Sequence, residues 1–84
     1  MDSTTITAIL NLITAMLPML EQGAVTLYGD VKQLLADAEN SGAATPDQYT
    51  AIAAANAASD AALEKAHAAY DALKAKQAAA QPTT

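Results

Sequence analysis

Apolar side chains recur at alternating spacings of four and three residues without a break from Ile6 to Ala38. This spacing places them on one stripe of a helix and is typical of a helix that packs against another helix. The positions in this stripe are Ile6, Leu10, Ile13, Leu17, Leu20, Ala24, Leu27, Val31, Leu34 and Ala38. We therefore predict a first helix over about residues 4–40, capped by Ser3 or Thr4. Because proline removes a backbone hydrogen bond, this helix is expected to be kinked or broken at Pro18, with two shorter helices as the alternative.

A second helix is predicted from a strong local start signal. Thr45-Pro46-Asp47-Gln48 combines a capping threonine, a proline at the first helical position and a glutamine that can close a capping box. Asn40-Ser41-Gly42 is a typical helix stop, which leaves residues 41–45 as the turn. The helix over 46–79 carries its own seam, formed by Tyr49, Ile52, Asn56, Ser59, Leu63, Ala66, Tyr70 and Leu73.

Two helices of similar length joined by a short turn predict an all-α fold, an antiparallel helical hairpin that occupies residues 1–80 as a single domain. Residues 81–84 are expected to form a flexible tail. If position i faces a position near 86 − i, Leu34 lies opposite Ile52 and Ile13 lies opposite Leu73. The first helix contributes Leu27, Val31 and Leu34 to this hairpin seam.

The first helix has more apolar surface than an alanine-rich partner can cover. Such surfaces usually mark a subunit interface or a membrane contact. The expected homo-oligomer interface, leading to a four-helix or larger bundle, consists of Ile6, Ile9, Leu10, Leu12, Ile13, Met16, Leu17, Met19 and Leu20.

A membrane segment over residues 3–20 is the alternative, because this stretch contains no charge. Asn11 and Pro18 dilute its hydrophobicity, and no basic residue flanks either end. The missing basic n-region also argues against a signal peptide, so a cytoplasmic or virion-associated location is expected.

Composition and charge exclude several classes of function. A net charge of −5 with four basic residues argues against nucleic-acid binding, and the absence of cysteine excludes disulfides and thiolate metal sites. The one histidine, His67, lies between Glu64 and Asp71 on a face that is expected to be solvated; a metal site with Asp60 is the alternative reading. We therefore expect no catalytic residue, no metal and no cofactor.

The polar and aromatic residues at or near the seams are expected to have structural roles, and the tyrosines also allow an alternative interpretation. Asn56 and Ser59 are expected to fix the register or the oligomer number through a buried hydrogen bond. Tyr28, Tyr49 and Tyr70 are expected to pack at the core or rim of an interface, with a small-molecule pocket between subunits as the alternative.

The apolar uncharged first helix, the Thr45–Tyr49 cap and the alanine-rich stretch Asn-Ala-Ala-Ser-Asp-Ala-Ala-Leu at 56–63 together resemble small accessory proteins encoded by tailed bacteriophages. This resemblance of layout and composition implies a virion-associated, assembly or lysis-cassette role. It assigns no function to any single residue.

The sequence thus predicts a non-enzymatic structural or assembly protein that self-associates through its first helix. One alternative is a small membrane-active protein, holin-like or membrane-anchored, that uses residues 3–20. Another is an oligomeric inhibitor or ligand-sequestering protein with a groove lined by tyrosines.

Overall fold

The computed structural model describes residues 1–80, which form three helices: α1 (Ser3–Glu21), α2 (Leu27–Asn40) and α3 (Pro46–Ala80). The all-α class is as predicted. The prediction of one first helix over 4–40 is wrong, because the chain leaves the helical path between α1 and α2. The predicted tail at 81–84 lies outside the described residues.

The break between α1 and α2 is a glycine-terminated helix end. Gly23 has a φ of +115°, and its N–H donates to the Leu20 carbonyl at 3.1 Å while the Ala24 N–H donates to the Met19 carbonyl at 3.1 Å. This pair of bonds is a Schellman motif, in which glycine takes the position that L side chains avoid. Pro18 lies inside the last turn of α1, so the predicted break occurs after the proline.

The N-termini of α1 and α3 are both capped by side chains. The Asp2 carboxylate, rather than Ser3 or Thr4, caps α1 by accepting a 2.8 Å hydrogen bond from the Thr5 N–H. At α3, the Gln48 N–H donates to Thr45 Oγ1 at 3.1 Å and the Thr45 N–H donates to Gln48 Oε1 at 3.0 Å. The predicted capping box is therefore confirmed.

The directions of the helices follow from their polar contacts. Tyr28 meets Asp60, Lys32 meets Asn56 and Tyr49 meets Glu39, so α2 runs antiparallel to α3 with i facing 88 − i, close to the predicted 86 − i.

α1 instead runs parallel to α3, since its first turn contacts Gln48 and its last residue, Glu21, lies 3.6 Å from Lys65. The predicted pairing of Ile13 with Leu73 is wrong. Ile13 lies beside Ala55 and its alanine neighbours on the first half of α3.

One apolar core lies between the three helices. Large branched side chains fill it from α1 and α2, while α3 contributes mainly small residues that let the backbones approach closely. The core residues are Ile6, Ile13, Met16, Val31, Leu35, Ala38 and Ile52, with Leu20, Ser59, Ala62 and Ala66 also buried. Each large side chain in it stabilises the fold by about 1.5–3 kcal/mol. Leu35 was not in the predicted seam, and Ala24, which was, is exposed at the break.

α3 is longer than the helices that cover it. Its 35 residues span about 52 Å at 1.5 Å per residue, in a molecule of 61 × 17 × 16 Å. Residues 67–79 are all exposed. We call residues 67–80 the overhang, because this last part of α3 projects beyond the three-helix part of the molecule.

Candidate functional site

The most organised polar cluster in the described residues joins α2 to α3, and we call it the polar clamp: Tyr28, Lys32, Asn56 and Asp60. Tyr28 Oη donates to Asp60 Oδ1 at 2.6 Å, and Lys32 Nζ lies 2.9 Å from the same carboxylate oxygen. Lys32 Nζ also donates to Asn56 Oδ1 at 3.1 Å and lies 5.4 Å from the centre of the Tyr28 ring. Every group in the clamp is used to hold the two helices in register.

The clamp changes the ionisation of two of its members. The hydrogen bond from Tyr28 and then that from Lys32 lower the pKa of Asp60 below 3.8, because both favour the carboxylate. The same hydrogen bond to Asp60 raises the pKa of Tyr28 above 10.0, because deprotonation would place two negative oxygens side by side. Neither shift brings a group close to neutral pH, as a general acid or base would require.

Gln48 forms a second polar junction, at the opposite end of the bundle. Besides closing the capping box, its Nε2 donates to the Ser3 carbonyl at 2.8 Å and to Thr7 Oγ1 at 3.0 Å. Ser3 Oγ donates back to Gln48 Oε1 at 3.2 Å. The side chain that caps α3 therefore also fixes the start of α1 beside it. The sequence predicted the cap, but no local pattern predicted the contact between Gln48 and Ser3.

Asp60 and His67, which the sequence suggested as ligands of a metal site, lie in different surroundings. Asp60 belongs to the polar clamp, whereas His67 lies exposed where the overhang begins. Within residues 1–80, no group of three or more histidine, aspartate or glutamate side chains is placed to hold a metal ion.

The two polar residues of the predicted α3 seam are satisfied within the chain. Ser59 is fully buried and donates to the Asn56 carbonyl at 2.8 Å, while the Asn56 side chain accepts from Lys32 of α2. Asn56 thus contributes to helix alignment inside one molecule.

The three tyrosines do not share a groove. Tyr28 is in the polar clamp, Tyr49 Oη reaches the Glu39 carbonyl at 3.5 Å near the other end of α2, and Tyr70 is on the overhang, 60 % exposed. Tyr28 lies opposite Asp60 of α3, so the three tyrosines lie at the levels of residues 49, 60 and 70, about 15 Å apart at 1.5 Å per residue. A single tyrosine-lined pocket is therefore not formed by one molecule.

The expected oligomer-interface residues fall into two groups. Ile6, Ile13, Met16 and Leu20 are buried by α2 and α3 of the same chain, so they are not free to contact a second copy. Ile9, Leu10 and Leu17 are partly buried against the core, whereas Leu12 and Met19 remain 52 % and 48 % exposed.

The exposed part of α1 forms a continuous apolar line that we call the outer stripe: Ala8, Leu12, Ala15 and Met19. All four are exposed and are spaced by four and three residues, so they share one face of the helix. Among the described helices, α1 is the one that is long and apolar enough to cross a membrane, and 22 % of its apolar stretch is buried.

A second exposed apolar surface lies at the overhang. Leu73 is 53 % exposed on the same side as Tyr70, and Lys74 Nζ lies 5.6 Å from the centre of the Tyr70 ring. Where the overhang leaves the bundle, a concave surface, which we call the notch, is lined by Gly23, Val25, Ala66, His67 and Tyr70.

The two exposed apolar surfaces, the outer stripe and the overhang with its notch, are the candidate functional surfaces of the molecule. Comparison with known proteins adds no assignment: no protein-family model, no curated protein and no solved structure matches the chain.

Proposed function

We propose that this chain is a non-enzymatic structural protein that self-associates through the outer stripe of α1 and takes part in a larger protein assembly. The observation that carries the proposal is the half-exposure of Leu12 and Met19 on a helix that has no charged residue between positions 3 and 20. A helix that faces water in a soluble monomer normally presents charged residues on that side.

The outer stripe has the composition of a helix-packing surface. Its two large side chains alternate with alanines, so the large residues of one copy fit beside the small residues of another. Because each copy presents the same stripe, two copies can pair around a two-fold axis. The face is uncharged, so pairing removes no charged group from water.

The polar groups of the described residues support a structural role. The polar clamp and the Gln48 junction hold helices together, and no buried side-chain nitrogen or oxygen in this part of the chain lacks a hydrogen-bond partner. A role in a bacteriophage-encoded assembly, which the layout of the sequence implies, is compatible with this proposal.

Sedimentation equilibrium over a wide concentration range tests the proposal. We expect the mass to exceed that of the 8.5 kDa chain and Leu12→Asp to lower it, because the substitution places a charge at the centre of the stripe. Thr14→Asp is the matched control, since it adds the same charge at an exposed position on a different face of α1. A Leu12→Asp curve identical to that of the wild type would overturn the role of the stripe.

A membrane-active protein is the second candidate, and the exposure of α1 supports it. Most of the apolar stretch of α1 is open to the surroundings, and a lipid surface could cover it as a second copy would. Flotation with liposomes of neutral phospholipids tests this candidate directly. Wild-type protein that floats, with Leu12→Asp remaining at the bottom of the gradient, would favour it; protein that stays soluble with or without liposomes would count against it.

A further inference from the structure

The four residues of the outer stripe alternate in size along α1. Two small side chains, Ala8 and Ala15, alternate with two large ones, Leu12 and Met19. A second copy that lies antiparallel presents the same residues in the order large, small, large, small. The stripe is therefore complementary in size to a second copy of itself when the two helices run in opposite directions.

We propose that the outer stripes of two copies pair antiparallel, with position i of one copy facing position 27 − i of the other. Ala8 of each copy then faces Met19 of the other. Between these two contacts, Leu12 faces Ala15 in the same way. This arrangement rests on the proposed function, self-association through the outer stripe, and specifies the direction and the register of that association.

This register is the one that uses the whole stripe. With i facing 27 − i, each of the four residues lies against a residue of the other stripe, whereas a shift by one heptad in either direction leaves two of the four against residues outside it. In the stated register Thr5 of one copy also reaches the level of Gln22 of the other, and both residues are polar and exposed. The apolar contact therefore ends in polar residues at both ends, as protein interfaces commonly do.

A parallel pair would pack less evenly. It places Leu12 against Leu12 and Met19 against Met19, while the alanines of the two copies face each other. The large side chains then hold the helices apart and leave gaps at the alanines, where dispersion contacts are lost. The antiparallel pair has one large and one small residue at every level, so the helices approach to the same distance along their length. It also places opposite ends of the helix dipoles side by side.

The composition of the stripe favours a helix over a lipid surface as its occupant. Helices that lie on membranes present large apolar side chains and carry lysine or arginine beside them. Half of the stripe is alanine, and α1 contains no lysine or arginine. Alanine offers little apolar surface to lipid but lets a second helix approach closely. Every copy of this chain carries a helix with the matching order of sizes, so a second copy is the occupant that fits.

Single cysteines test the direction of pairing, because the chain contains no cysteine of its own. Full-length Ala8→Cys and Met19→Cys are mixed, one of them with a tag that separates the products on a non-reducing gel, and are then oxidised. The proposed register brings the thiols of the two different variants together. It holds the thiols of two Ala8→Cys copies about 16 Å apart along the helix axis, whereas a disulfide needs Cα atoms within about 7 Å. We expect the mixed product to exceed each homodimer by about 10-fold.

Thr14→Cys is the control, since Thr14 is exposed on a different face of α1 and should give only a background yield. Homodimers of Ala8→Cys and of Met19→Cys in excess of the mixed product would overturn the antiparallel register and retain the stripe as a parallel interface. Yields of all products at the Thr14→Cys level would instead reject the outer stripe as an interface, and with it the proposed function. The two failures are therefore distinguishable.

Ala15→Leu tests the close packing of the pair without a cysteine. In the antiparallel pair the added side chain meets Leu12 of the other copy, and this overpacking should weaken association by about 10-fold or more. A lipid surface or a loosely packed apolar contact would bind the more apolar variant at least as tightly as the wild type. Sedimentation velocity against concentration measures the dissociation constant, and circular dichroism checks that the exposed substitution leaves the helices intact. An unchanged or tighter association of Ala15→Leu would overturn the close-packed pair.

Discussion

Several polar residues of this chain bind two other residues at once, and the loss of stability on replacing them depends on both contacts. Gln48 closes the capping box of α3 and also binds the first turn of α1. Asp60 accepts hydrogen bonds from both Tyr28 and Lys32. Substitutions at such positions remove more than one contact, whereas substitutions at positions with only local contacts should have small effects.

Gln48→Ala is expected to destabilise the fold by about 1–2 kcal/mol, because it removes a helix cap and the hydrogen bonds between Gln48 and Ser3. Chemical denaturation monitored by circular dichroism measures the change. Gln33→Ala is the matched control, since Gln33 binds only Asp37, at 2.9 Å, on its own exposed helix face; this variant should lose less than about 0.5 kcal/mol. Equal losses in the two variants would contradict the role of Gln48.

Gly23→Ala and Gly29→Ala should have opposite effects. Gly23 has a φ of +115°, so a side chain there is expected to cost about 1–2 kcal/mol. Gly29 lies inside α2 with open space around an added Cβ, so alanine should stabilise by about 1 kcal/mol. Thermal melting of the two variants distinguishes these outcomes, and a stabilising Gly23→Ala would mean that α1 and α2 join into one straight helix.

The pH dependence of the free energy of unfolding should reveal the contribution of Asp60 in the polar clamp. Because folding lowers the pKa of Asp60, its contribution is present above the unfolded value of 3.8 and is lost as the pH falls through the folded pKa. The difference in melting temperature between wild type and Asp60→Asn should therefore be largest near neutral pH and shrink below about pH 4. A difference that is constant from pH 7 to pH 2 would show that the carboxylate charge is not involved.

At the scale of the helices, the sequence predicted the second half of the fold better than the first. The Thr45–Gln48 cap and the Asn40-Ser41-Gly42 stop are local signals, and α2 and α3 pair with a shift of two from the predicted register. The break at Gly23 was missed because the apolar spacing continues through Ala24, which favoured an unbroken helix. Gly42, with a φ of +74°, ends α2. The same preference for glycine just after a helix end applies to Gly23 and predicts the end of α1.

The parallel packing of α1 on α3 had no local signal in the sequence. It depends on contacts between Gln48 and Ser3, 45 residues apart, and on the direction in which the short linker turns. The candidate surfaces followed from this packing. This packing buries Ile6 and Ile13, and it leaves Leu12 and residues 67–79 of α3 exposed.

Removing the overhang should leave the three-helix part folded. Ending the chain after Tyr70 keeps one helical turn beyond the buried Ala66 and should change the free energy of unfolding by less than about 1 kcal/mol at low protein concentration. Denaturation and circular dichroism measure both stability and the expected loss of helical signal. A chain that begins at Ala24 is the contrasting variant, because it lacks Ile6, Ile13 and Leu20 and should not fold. Unfolding of the first variant would show that the overhang supports the bundle.

At the scale of the whole molecule, the two exposed apolar surfaces, the outer stripe and the overhang, lie on different parts of an elongated body. A molecule with one self-pairing surface stops at a dimer, whereas a molecule with two different ones can continue to add copies. If the outer stripe and the overhang each bind a further copy, a single short chain can build an extended assembly.

Thermal stability should then depend on protein concentration. Association stabilises the folded state by mass action, so the melting temperature of the wild type should rise with concentration. The Leu12→Asp and Leu73→Asp double variant should melt at one temperature throughout the same range, because it retains the core but lacks both surfaces. A wild-type melting temperature that does not change with concentration would contradict association through either surface.

The exposure of the overhang also makes this segment a reporter of assembly. Beyond the notch, this segment is held mainly by its backbone bonds and the helix-forming tendency of alanine, so its amide hydrogens should exchange with solvent deuterium almost freely. Once another molecule lies along it, opening each turn also requires separating the two molecules. Slowed deuterium uptake at 67–80 would therefore mark, peptide by peptide, when and where this protein has found its neighbour.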